Sequence, residues 1–437
     1  MHYSPYLRAA ASQLASRATP QKATGLKHGA AILAVDNHSP VSRVAVYVRA
    51  GSRYEPDHLP GISHYIRACA GLTTQDSSIF GITRHMEKAG ASFRVSSDRE
   101  FIVYNVDCLR DKLGYVLGFI DDTLHRPEFR SWELVDVVQP RLKEELGRYK
   151  KNQGLIANEA MHKAAYRGGL AHSVFAPEHQ ADKIKKSDVF EYFEKNFVLD
   201  RMSFVGLGVD EAEFKETIDD KFRLNPSEYQ GVKGDTRYVG GEARIQANFP
   251  VTKVNFVVQG SPITDLKSLA ALEVLSFLIG GNGQTPIKYG SGSQRTLTNI
   301  VKSFSSSHQT SVININHSDT GLFGFSVCGP NETLKEATKA CVKHVKQILN
   351  GVSENDLKNA KSAAKARLLI ESEDQEAVFN AMGRRHATGI TGMSPLDLVE
   401  KLHLKDVQSV ASNLLKSKPT LVAVGNPRYV PYVDELD

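Results

Sequence analysis

The stretch Gly61-Ile62-Ser63-His64-Tyr65-Ile66-Arg67-Ala68 has helical spacing of apolar residues and one side chain, His64, able to ligate a metal. Helix positions i and i+4 lie about 40° apart on one face, so a second histidine there could share an ion with the first. A glutamate between them would activate the metal-bound water, the arrangement of a zinc hydrolase. Here Arg67 stands at the place of the base and Ala68 at the place of the second imidazole. A methyl group donates no lone pair. A guanidinium stays protonated, so it accepts no proton and repels a dication. His64 is therefore expected to be a hydrogen-bonded histidine rather than a ligand.

No replacement chemistry shows elsewhere. His125-Arg126-Pro127-Glu128-Phe129 imitates the first part of the pattern, but Phe129 fills the last ligand position and Pro127 breaks the helix. His162, His172, His179, His344 and His386 have no matching ligand at helical spacing. Nothing resembles the Gly-x-Ser-x-Gly turn of a serine hydrolase. Gly280-Gly281-Asn282-Gly283 follows an expected helix rather than a strand, and Gly290-Ser291-Gly292-Ser293 reads as a flexible loop. Neither carries the Lys-Ser/Thr of a phosphate-binding loop.

The elements that would position these residues recur in two sets. Ser42–Val48 alternates like a strand and leads to a helix expected near 61–72; Thr252–Val258 does the same before a helix expected near 265–280. Glu100–Val106 precedes an amphipathic helix near 110–124, and Gly321–Val327 precedes one near 332–350. Each half closes on a late strand, Met202–Gly208 and Thr420–Gly425. The repetition predicts an internal duplication and an α+β fold of mixed sheets covered by helices. The Gly- and Pro-containing stretch 226–240 is the expected linker.

Composition excludes several functions. The chain is 41% hydrophobic and 24% charged over 437 residues, ordinary for folded domains. Its net charge is +5, but Arg8, Arg17, Lys22 and Lys27 supply +4 before the first acidic residue, Asp36. The body is thus close to neutral, without the basic face that nucleic-acid binding needs. The tail is rich in Ala, Ser and Arg, and Leu7, Ala11, Leu14 and Ala18 fall at helical spacing, as in a mitochondrial targeting segment. Cys69, Cys108, Cys328 and Cys341 form no Cys-x-x-Cys pair and fit buried free thiols. No uncharged apolar run approaches the ~18 residues of a spanning helix, so any membrane association would be peripheral.

Four stretches carry a resemblance: Arg49–Glu55 with the helix after it; Glu87–Phe93 followed by Ser97–Phe101; Met161–Arg167; and Gly425-Asn426-Pro427 with Val430–Leu436. Together they resemble the two-domain, pitrilysin-related proteins comprising mitochondrial processing peptidase and the core subunits of ubiquinol–cytochrome c reductase. The resemblance covers nearly everything from residue 25 onward. It implies two homologous pitrilysin-type domains forming a bowl, at 25–225 and 241–437, after a targeting-like segment at 1–24. It also implies a third zinc ligand on a later helix, at Glu144 or Glu145, leaving at most two of three ligands. Phe93-Arg94 replaces the Asn-Ala pair that helps hold substrate backbone in active relatives.

The C-terminal stretch is similar to the core 2 branch of this family. That branch implies a structural subunit of complex III without catalytic residues, metal or cofactor of its own. It would sit at the matrix side of the mitochondrial inner membrane with core 1, cytochrome b, cytochrome c1 and the Rieske protein. The alternative within the family is a non-catalytic, presequence-binding subunit of the processing peptidase. Its long glycine run is matched poorly by the interrupted stretch from Gly280 to Gly292.

Overall fold

The alternating segments of the two halves fold into two sheets of the same topology. The computed structural model describes residues 24–25, 30–222, 229, 231–280, 297–305, 307–390 and 394–436. Most of the basic N-terminal tail, Pro226 and the glycine-rich stretch 281–292 lie outside them.

The first sheet contains β1 (Thr24–Gly25), β2 (Ala31–Val35), β3 (Val41–Val48), β4 (Ser92–Ser97), β5 (Ile102–Leu109) and β7 (Met202–Leu207), in the order β1-β2-β7-β3-β5-β4. The second contains β9 (Gly241–Gln246), β10 (Thr252–Gln259), β11 (Gln309–Asn316), β12 (Gly321–Gly329) and β13 (Thr420–Gly425), in the order β11-β12-β10-β13-β9. Reversed, the second order repeats the first from β2 to β4, and β1 is an addition to the first sheet. β2 runs parallel to β7 as β9 does to β13, and the remaining pairs in each run are antiparallel. The expected strand pairs therefore occupy equivalent places in two mixed sheets, the architecture of an internal duplication.

The central strands of each sheet are buried on both faces, and the second cover comes from the other half. Val44, Val46 and Val48 of β3 face the first half's own helices, among them α1 (Ile62–Ala68) and α2 (Leu113–His125). Ala45 and Tyr47, on the opposite face, pack with Phe379 and Ala387 of α8 (Gln375–Ala387), a helix of the second half. Reciprocally, Ala157, Ala160 and Met161 of α4 (Gln153–Ala165) pack on Val257, Leu322, Val422 and Val424 of the second sheet. Burial on both faces explains why β7 and β13 are buried at every position and read as apolar runs instead of alternating.

Between these lie α3 (Gln139–Lys151), α5 (Leu266–Ile279), α6 (Asn331–Asn350) and α7 (Glu354–Glu371). The helix expected near 61–72 ends at Ala68. Past it, Gly71 adopts φ +79°, and Thr73 gives its hydroxyl to Glu133 and accepts from Ile79 N at 3.1 Å, which turns the chain away. Within the expected linker, β8 (Thr236–Tyr238) pairs with β6 (Tyr166–Gly168) in a small separate ladder. No helix among the described residues is long and apolar enough to cross a membrane.

Candidate functional site

α1 starts after Gly61, whose φ of +89° and 2.4 Å clearance from Ala176 for any added Cβ both require glycine. Its first amides have no partner within the helix, and buried Glu55 takes them: Gly61 N donates at 2.7 Å and Ser63 N at 2.9 Å. Burial pushes the Glu55 carboxyl up to about 7, against the pull of these donors and the Ser63 hydroxyl. The cap fixes which side of α1 faces α3, and that side carries His64 and Arg67.

His64 is 1% exposed. Its Nδ1 accepts a hydrogen bond from Ala176 N at 3.1 Å, so the ring proton sits on Nε2 and is donated to Glu145 Oε2 at 2.8 Å. The Arg67 guanidinium donates to that same oxygen. Burial lowers the His64 pKa, and the Arg67 charge adds to the effect against the pull of Glu145. For Glu145 burial works upward, but the hydrogen bond from His64 and the charge of Arg67 prevail and bring it down to about 2. Both shifts describe one state, a neutral imidazole beside a carboxylate whose charge Arg67 balances. The ring of Phe175 meets His64 edge-on at 5.6 Å and stacks on Tyr149 at 4.6 Å, closing the site from above.

Of the two glutamates proposed as the third ligand, α3 turns Glu145 inward. Glu144 points to solvent and pairs with Arg148 one turn on. Leu142 and Leu146, both buried, set this phase, because a helix rotates about 100° per residue. Ala68 is buried and offers only its carbonyl, which accepts from Arg141 Nη1 at 3.2 Å. A catalytic zinc needs three protein donors and an open position. Here one histidine and one carboxylate are bonded to each other, with a permanent cation on the carboxylate, so these residues do not fit the metal. Among the described residues, no cluster of three or more His, Cys, Asp or Glu side chains is placed to hold one.

β4 is an edge strand of the first sheet. Phe93 on it stacks on Tyr104 at 6.4 Å, and Arg94 bonds Asp107 of β5 at 2.9 Å. Both side chains are engaged within the sheet.

One contact escaped sequence reasoning. His162, without a partner at helical spacing, brings its Nε2 to 3.2 Å from Nε2 of His317, a residue 155 positions away in the β11–β12 turn. The only local signal was that His317-Ser318-Asp319 lies between two alternating segments, which marks a turn and nothing more.

The sequence profile of insulinase (peptidase family M16) matches residues 31–178, and that of the peptidase M16 inactive domain matches residues 183–364. Human cytochrome b-c1 complex subunit 2 is 30% identical over 440 residues, covering 99% of this chain and 96% of the human protein. The chain belongs to peptidase family M16, in the family of cytochrome b-c1 complex subunit 2. The Yarrowia lipolytica subunit 2 is 26% identical over 96% of this chain and 100% of its own length. The alpha subunit of the potato mitochondrial-processing peptidase is also 26% identical, over 94% of this chain and 83% of its own length. A chain of complex III2 from Candida albicans superposes with a TM-score of 0.80 at 16% identity, covering 94% of this chain and 98% of that one. That superposition establishes the same two-domain fold.

Proposed function

We propose that this chain is the core 2 subunit of respiratory complex III, a structural and non-catalytic member of the mitochondrial ubiquinol–cytochrome c reductase. It pairs with core 1 on the matrix side of the inner membrane and supports cytochrome b, cytochrome c1 and the Rieske protein. The observation that carries this reading is the Arg67–Glu145–His64 contact, in a chain related to cytochrome b-c1 subunit 2 over its whole length. The contact fills the place of a peptidase metal with a protonated side chain, leaving a helix junction with no nucleophile, base or ligand vacancy. What such a chain can contribute is buried interface, which for obligate partners commonly runs to ~2,000–5,000 Å².

The likeness to the processing peptidase alpha subunit favours a second reading, a presequence-binding partner of an active peptidase. Native isolation from detergent-solubilised mitochondria separates the two. Complex III membership requires b- and c-type haems to travel with the chain, and well below one zinc per chain by elemental analysis. A haem-free complex that cleaves presequence peptides would establish the second reading instead.

A further inference from the structure

The tip of the β11–β12 hairpin, residues 317–320, is one of the places where the second half grips the first through polar atoms. Ser318 N donates to both oxygens of Glu100, at 3.2 and 3.1 Å, and Arg53 Nη1 reaches Ser318 Oγ at 3.1 Å and Asp319 at 2.9 Å. Beneath this contact lie His317 and His162, each almost fully buried. His162 Nδ1 must donate to the Asn158 carbonyl, which it meets at 2.9 Å, so its Nε2 bears the lone pair. The 3.2 Å contact is then made by a proton on His317 Nε2. That leaves His317 Nδ1 as a bare lone pair with no donor, 3.9 Å from Glu100. The hydroxyls of Tyr166 and Thr320 are buried there beside each other.

We infer that this tip is a proton-sensitive interlock between the halves, closed only while His162 and His317 each carry a single proton. A proton added to His162 has only Nε2 to occupy, so either two N–H groups face each other across the shared bond or the His317 proton moves to its buried Nδ1, which has Glu100 no nearer than 3.9 Å. A proton added to His317 enters a field set by several neighbours. Arg99 (bridged to Glu159 at 2.8 Å), Arg53 (on Glu100 and Asp319) and Arg384 (3.3 Å from Asp98, on α8) oppose it; Glu100 favours it but already serves Arg53 and Ser318. Burial first, then the charges of Arg99, Arg384 and Arg53, push His317 down to about 3. Burial, Arg99 and His317 hold His162 well below its ordinary value. When the tip lifts into water, both rings regain ordinary values near 6.5 and take up protons. Closure is therefore undiminished well above pH 6.5 and weakens as the pH falls below it.

Hydrogen exchange of the full chain at pH 7.5, 6.5 and 5.5, corrected for intrinsic amide rates, tests this. Opening of residues 317–320 should rise between pH 6.5 and 5.5 by about fivefold if one proton is taken up and by about thirtyfold if two are, because rings with ordinary values near 6.5 are already half protonated at the upper pH. Amides of β3 and β7 should not change. In His317→Gln the rise should shrink to that of a single histidine. The inference is overturned if tip opening is flat across this range, if the first sheet loses protection in step with the tip, or if His317→Gln keeps the wild-type slope. Should that variant not fold, the wild-type profile of tip against sheet decides alone.

Discussion

α1 and α5 hold the same place in the two halves, each following the central strand of its sheet, yet they bury different chemistry. α1 presents His64 and Arg67 to Glu145 on α3. α5 is apolar along most of its length, with Ala271, Leu272, Val274 and Leu275 fully buried. Its ion pair of Glu273 with Arg367 of α7, at 3.2 Å, has the opposite sense: the carboxylate sits on the helix after the central strand and the guanidinium on the later helix. Burial raises the Glu273 carboxyl, with Arg367 pulling it back. What both places require is a filled, charge-balanced contact between two helices. Zinc with its ligands satisfies that requirement, and so does an arginine on a carboxylate, without chemistry.

Removing apolar volume from the second half should have the largest effect. Leu275→Ala, at a fully buried site, is expected to cost about 2–5 kcal/mol in equilibrium urea unfolding. In the first half, Glu145→Ala strands a buried imidazole and a cation and should cost about 2–3 kcal/mol, whereas Arg367→Ala strands a single partly buried carboxylate that can neutralise by taking up a proton and should cost about 1 kcal/mol. Equal costs would break the contrast between the two pairs.

Arg67→Glu with Ala68→His should raise zinc affinity by on the order of a hundredfold or more, read by competition with a chelating dye. An unchanged affinity would show that removing the cation and restoring the ligands is insufficient. The smallest effect is that of acid. Glu145 is held at about 2, below the ordinary carboxylate range, so its contribution is complete above about pH 4.5 and declines as the pH falls toward 2. Glu145→Gln should flatten that part of the stability profile.

Much of the frame was legible because it is local. Alternation placed β3, β10 and β12 to within a residue or two, and the order of segments announced the duplication. The end of α1 was misjudged because Thr73 binds Glu133, sixty residues on, which no helical pattern encodes. The two-faced burial of β7 and β13 could be seen as apolar runs, but their cover by helices of the other half could not. Glu144 and Glu145 are adjacent and chemically alike, so their separation rested on how Leu142 and Leu146 seat α3 in the core.

The sequence by itself determined that residue 67 is always cationic and that residue 68 has no lone pair. Ionisation and donor chemistry belong to the side chain wherever it lies, so these two residues offer a zinc ion neither a base nor an imidazole whatever the fold. The tertiary structure decided which carboxylate Arg67 meets, which nitrogen of His64 carries the proton, and that His162 finds His317. Those are choices of partner through space, made by packing between segments far apart in the chain.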